Sequence, residues 1–245
     1  MIIEAFKRLY TGDDALQNHL ILFVMTGFIM MLSKIMNMYS TPPLVNEAPA
    51  WLLFAIMLLM PVVALYMAGY MYMVNHRAYD DSTPELLPDF TLDGFKVFIK
   101  FLPLALSWAV IGIAIVALFN ALILFATTSK AVFIVWQVLY KICGAFYILI
   151  IPFVLARFCE NYDRKGLFNP LVPIKDLFKS AKEIGLLILK LVPVGIVLLI
   201  LMVLSAPYDI TGFLFTAVFA YFFTLIQYVI NYCYVCIYRE KISKE

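Results

Sequence analysis

The sequence predicts an all-α integral membrane protein. It reads as six transmembrane helices forming three parallel hairpin repeats, each preceded by an interfacial amphipathic helix on the cytoplasmic side. Three observations carry that expectation: an apolar composition, six long runs nearly free of charge, and a short charged motif that recurs before every second run.

Hydrophobic residues make up 64% of the chain and charged residues 14%, with a mean hydropathy of +0.96. A soluble domain carries roughly 25% charged and 45–50% apolar residues. Too little polar surface remains here to cover a soluble core, so lipid must be part of the solvent. The net charge of +2 implies no polyanionic partner. The aromatics sit mostly inside apolar runs rather than along a basic aqueous stripe, which excludes nucleic acid as a partner. The opening MIIEAFKRLYTGDD has an acid early and its positive charges after the apolar residues. That order is not a signal peptide's, so the first run is expected to remain as a span. The whole of 1–245 then reads as one membrane domain. Cys143, Cys159, Cys233 and Cys236 fall in or beside apolar runs, unlike a disulfide framework.

A membrane helix needs about 20 mostly apolar residues. The stretches 17–38, 50–74, 101–126, 131–157, 184–205 and 212–238 meet that length. Helices satisfy their own backbone in hydrocarbon, and these stretches lack the alternation of a barrel strand. Of the 18 Lys and Arg residues, only Lys34, Lys130 and Lys141 fall outside the set that flanks one side of the spans. The positive-inside rule places that side, with both termini, in the cytoplasm of a bacterial or archaeal inner membrane. MYSTPPLVNEAPA, TTSK and APYDIT connect the spans on the other side.

The recurring motif is acid, any residue, Phe, Lys: EAFK (4–7), DGFK (93–96) and DLFK (176–179). Apolar residues at 92, 95, 98, 99 and 102 share one helical face, with Asp93, Lys96 and Lys100 on the other. The third copy sets Ile174, Leu177, Phe178 and Ala181 against Lys175, Asp176, Lys179 and Lys182. That is the pattern of a helix lying in the headgroup plane, with Lys7, Lys96 and Lys179 as its interfacial cations. KFLP and KLVP place Pro103 and Pro193 alike, and Pro61 matches Pro152. The repeat units are about 1–77, 91–160 and 174–240. All enter from one side, unlike the inverted repeats of many transporters. The first unit departs from the pattern: TGDD breaks the chain, and no proline matches Pro103. Pro103 and Pro193 are expected to bend a surface helix into the bilayer, and Pro61 and Pro152 to kink their spans.

Lys141 is the sharpest candidate for function, because a lone cation inside a span costs about 2.5–3.5 kcal/mol on insertion scales. With Gln137 one turn earlier and Asn120 on the facing span, it can form a polar pocket. Alternatively its long stem snorkels to the headgroups. Gln227 and Asn231, four apart, share a face, either as amide glue between helices or as a pore lining. Cys233 and Cys236 form a CxxC late in an apolar helix. A redox pair needs an exposed thiolate near a helix N-terminus, so packing is the plainer reading and palmitoylation the other. His19 and His76 read as interfacial. No GxSxG, Walker or HExxH motif and no carboxylate pair within the spans is present, so no catalytic residue, metal or cofactor is expected.

The stretch GYMYMVNHRAYDDSTPELLPDFTLDGFKVFIKFLP holds Gly69 and Tyr70, Arg77, Leu87 and Pro88 with Phe90, then Asp93 and Gly94. On these residues it resembles a prokaryotic membrane family catalogued as domain of unknown function 4013. The likeness covers about 35 residues well and implies a multi-span bacterial or archaeal protein, without an activity or site residues. Three function classes stay open: a transporter or lipid- and small-molecule-handling protein; a structural or accessory subunit of a membrane complex; and, disfavoured by the missing motifs, an intramembrane enzyme. The expected partners are the lipid bilayer and either a second copy or a complex subunit.

Overall fold

The computed structural model describes residues 1–39, 50–80, 84–125, 130–161 and 167–242. Most of MYSTPPLVNEAPA, the first three residues of TTSK, and Arg164, Lys165 and Lys244 lie outside them. Among the described residues the regular structure is helical: α1 (Ile2–Leu9), α2 (Ala15–Tyr39), α3 (Ala50–Tyr79), α4 (Asp93–Phe125), α5 (Lys130–Asn161), α6 (Leu171–Lys179), α7 (Ala181–Leu204) and α8 (Ile210–Lys241). All but α1 and α6 are long and apolar enough to cross a membrane. The chain is that of a multi-pass membrane protein.

Local chemistry sets the helix ends. Gly12 adopts φ 119°, and a Cβ there would also overlap the Glu85 side chain. Only glycine fits that turn between α1 and α2. Asp209 caps α8, its carboxylate accepting from the Gly212 amide at 2.6 Å, which satisfies one orphan donor of the first turn. Asn169 does the same for the Leu171 amide at 3.0 Å.

α3 and α8 form the centre. α3 packs against α2, α4, α5 and α8, while α8 packs against α1, α2, α3, α5 and α7. The two ends of the bundle differ. The basal end carries α1, the C-terminal ends of α3, α5 and α8, and α6. The distal end carries the end of α2 and the α7–α8 turn. Buried side chains concentrate toward the basal end: Leu9, Tyr70, Val74, Leu104, Phe153, Phe158, Tyr228 and Ile237 are all nearly inaccessible. Toward the distal end, Trp51, Leu58, Ile113, Val135 and Leu199 lie exposed.

A close backbone approach joins α3 and α4. A Cβ on Gly69 would overlap the carbonyl oxygen of Gly94, so only glycine lets these helices meet there. DGFK does not form a surface helix separated from its span: Asp93 opens α4, which runs through to Phe125 as one helix. EAFK lies in α1 and DLFK in α6. Pro61, Pro103, Pro152 and Pro193 all stand inside continuous helices. Pro103 is ten residues past Asp93 and Pro193 twelve past Ala181. Both therefore lie deeper than the first two turns, because their helices begin earlier than the apolar runs.

Candidate functional site

The basal end holds an extended polar network. Arg8 donates to the Arg77 carbonyl at 3.1 Å and lies 5.4 Å from the Tyr232 ring centroid. Arg77 donates to the Leu87 carbonyl at 2.9 Å. Arg157 grips Asp176 with two hydrogen bonds, at 2.5 and 2.9 Å, and lies 5.2 Å from the Tyr238 centroid. Glu160 accepts from Tyr79 at 2.7 Å and from Tyr238 at 2.9 Å. Arg239 donates to the Tyr79 carbonyl at 3.2 Å. Arg8 and Arg239 thus meet carbonyls in the last turn of α3, where the macrodipole is negative. Asp176 is 3% exposed, so it turns into the bundle rather than sharing an outer face with Lys175 and Lys179. Phe178 and Ala181 are exposed instead. Arg157 is what lets a carboxylate be buried there: its fork of two donors compensates the hydration that the carboxylate gives up.

Residues of the stretch from Gly69 to Gly94 are largely one another's partners. Tyr70 donates to the Pro88 carbonyl at 2.7 Å and stacks on Phe90 with centroids 4.2 Å apart. Arg77 holds Leu87, and Gly69 meets Gly94. Residues 84–92 are thereby fastened across the basal end, with the Leu86 amide donating to the Arg8 carbonyl at 3.0 Å.

Each histidine ties its helix to another. His19 Nε2 is 3.0 Å from the Leu9 carbonyl and must donate to it, so Nδ1 accepts from the Tyr221 hydroxyl at 2.8 Å. One ring thereby joins α1, α2 and α8. His76 Nδ1 contacts the Cys159 carbonyl at 2.5 Å. Cys233 and Cys236 form no disulfide and are buried. Cys143 is free and half-buried.

Two of the grooves among the described residues hold residues singled out in the sequence. The first, about 700 Å³, lies between α4 and α5, with Ala109, Gly112, Val116, Gly144 and Ile148 in its walls and Lys141 as its cation. The small residues keep it open. A Cβ on Gly144 would meet nothing within 4 Å, whereas Gly112 faces the Tyr147 hydroxyl. Tyr147 donates to the Trp108 carbonyl at 2.5 Å. Gln137 is half-buried and Asn120 exposed, and neither lines this groove. Lys141 therefore meets the groove without them. Which residues of α4 face Lys141 depends on how the two helices are turned against each other, and sequence spacing does not fix that rotation. The second groove, about 530 Å³, lies between α2, α3 and α8 and includes Gln227 in its wall. Asn231 is buried, and its amide nitrogen has no hydrogen-bond partner.

In sequence, Lys34 is only a stray cation on the far side of the spans. In the structure its ammonium donates to the Ser205 carbonyl at 2.5 Å, to Thr216 Oγ1 at 3.3 Å and to the Pro207 carbonyl. It also lies 4.8 Å from the Phe213 centroid. It ties the end of α2 to the α7–α8 turn. A lone lysine near the end of a span is the available signal, but its partner Ser205 lies 171 residues away. Lys7, Lys96 and Lys179 are exposed, and Lys96 pairs with Asp93 at 2.7 Å. Among the described residues, no group of three His, Cys, Asp or Glu could hold a metal.

No family model, curated protein or solved structure matches the chain. The functional reading therefore rests on its own residues.

Proposed function

We propose that this is a non-enzymatic membrane protein that handles lipid or another membrane-borne amphiphile, with transport as the wider form of the same activity. The observation that carries this reading is a single cation, Lys141, in the wall of an apolar groove between two spans. A cation within hydrocarbon is costly unless something compensates it. An anionic head group at Lys141, with its chain running along Gly112 and Gly144, would supply both the charge and the apolar filling. Small residues in the walls leave room for that chain.

We read the basal end as cytoplasmic, in a bacterial or archaeal inner membrane. Lys7, Lys96 and Lys179 would lie at the headgroups, and the three units 1–77, 91–160 and 174–240 would be parallel repeats. A periplasm-only reporter fused at the C-terminus would stay silent; activity there would overturn the orientation.

The test of function is native mass spectrometry of the protein extracted gently from its own membrane. A retained anionic amphiphile that disappears in Lys141→Met, with unchanged thermal stability, is the expected result. A stoichiometric protein partner without a retained amphiphile would replace this reading with that of an accessory subunit. That second reading draws on α7, which is almost wholly exposed: 6% of its most apolar window is buried, against 33% for α8.

A further inference from the structure

The groove between α4 and α5 has a direction. Its two walls run antiparallel, and side-chain contacts fix their register. Phe119 lies beside Tyr140, with ring centroids 5.7 Å apart, and the Tyr147 hydroxyl meets the Trp108 carbonyl at 2.5 Å. Tyr140 and Lys141 therefore form the distal end of the groove, and Tyr147, Ile148 and Ala109 its basal end. The Tyr147 hydrogen bond joins the two helices where the groove stops. Among the residues that line it, Lys141 alone is charged, so the charge is confined to the distal end.

Depth agrees with that polarity. Lys141 lies sixteen residues before Arg157 of the basal network, about 24 Å along α5 at 1.5 Å per residue. In a hydrocarbon core about 30 Å thick whose basal edge is at Arg157, the Lys141 backbone lies about 6 Å inside the distal edge. Helical side chains lean toward the helix N-terminus, which for α5 is the distal end. The ammonium thus reaches toward the distal head groups.

A phospholipid of the distal leaflet has its phosphate on that side and its chains pointing to the midplane. The groove has the same order: the cation first, then apolar walls past Gly112 and Gly144 to Ile148. A lipid of the basal leaflet would bring a chain end to Lys141 and leave its charge uncompensated. A single ammonium matches the one negative charge of a phosphodiester. A phosphomonoester carries about −1.5 to −2 at pH 7 and would need a second cation. We propose that this groove takes an anionic glycerophospholipid from the distal leaflet, with its phosphodiester at Lys141 and one acyl chain running basally past Gly112 and Gly144. The proposal rests on Lys141 being a lipid site, and it adds the class of lipid and the leaflet that supplies it.

The experiment places the full-length protein in phosphatidylcholine nanodiscs doped with a photoactivatable phosphatidylglycerol. One version of the probe carries its diazirine on the head group, the other midway along one acyl chain. Site-resolved crosslinks from the head group should fall at Tyr140 and Lys141, and those from the chain at Gly112 and Ile148. Lys141→Met should lower both at least about tenfold, the effect of one charged hydrogen bond. Lys141→Arg keeps the charge and should retain them. The reverse order along the groove, still lost in Lys141→Met, would overturn the choice of leaflet and leave the lipid site standing. Equal labelling by a phosphatidylethanolamine probe would overturn the anionic class. Labelling indifferent to Lys141→Met would overturn the proposal together with the lipid site beneath it.

Discussion

The basal and distal halves of the bundle are built from the same kind of apolar helix, yet they are held together differently. At the basal end, tyrosines, arginines, a buried aspartate and a glycine contact fasten the helices and the 84–92 segment to one another. At the distal end, aliphatic side chains face outward. The helix with the most hydropathic window, α7, is the least buried, and α8, whose window is less apolar, is the most buried. Hydrophobicity therefore drives these helices into the bilayer but does not choose their partners. Lipid tails are as apolar as leucine, so packing is decided by close backbone approach and by polar groups that must find one another.

Substitutions can break that contrast, and the largest effect should come from Gly69. Gly69→Val forces α3 and α4 apart along their whole basal contact. It should cost at least about 3 kcal/mol, seen as loss of the monodisperse peak in detergent. A normally folded Gly69→Val protein would refute the close approach. Next is the Arg157–Asp176 pair, with side chains 27% and 4% exposed. Asp176→Asn should lower stability by about 2–4 kcal/mol, because it strands the guanidinium. The double variant Arg157→Met with Asp176→Leu should recover most of the loss in a denaturation series, which separates pairing from packing.

Lys34 sharpens the comparison, since it supplies at the distal end the kind of polar tie that dominates the basal one. Lys34→Met should cost about 1–2 kcal/mol and should increase protease cleavage in the α7–α8 turn. An unchanged digest would show that the turn is held without it. Trp108 donates its indole N–H to the Leu167 carbonyl at 3.1 Å. Trp108→Phe should cost about 1 kcal/mol, measured by the unfolding midpoint. The smallest effects belong to the distal aliphatics: Ile113→Ala and Leu199→Ala should each change stability by less than about 0.5 kcal/mol. A loss several times larger at Leu199 would mean that α7 is covered by another chain.

The six spans are legible in the sequence because insertion depends on local composition, and each expected run falls on a helix of similar bounds. Lys141 is legible for the same reason: charge inside an apolar run stands out wherever it occurs. Its surroundings are not. Asn120 lies outside the groove, since rotation of one helix against another depends on contacts far along the chain. Periodicity puts Asp176 on the wrong face because it weighs the lysines of the same helix, while the true partner, Arg157, lies on α5. Lys34 shows in the sequence as a charge without a role. It gains its meaning from groups supplied by other helices.

The seat of α1 has a consequence for how the protein is made. Ala5 and Leu9 are fully buried, α1 rests on α8, and α2 packs extensively against α8 as well. Thus α1 and α2 meet this neighbour only when α8 has been synthesised. Until then α2 must be sheltered by lipid, by the insertion machinery or by a chaperone, while α3, α4 and α5 can already pack on one another. A nascent chain stalled before Asp209 should leave the peptide bond after Arg8 open to trypsin, and a chain extended through α8 should protect it.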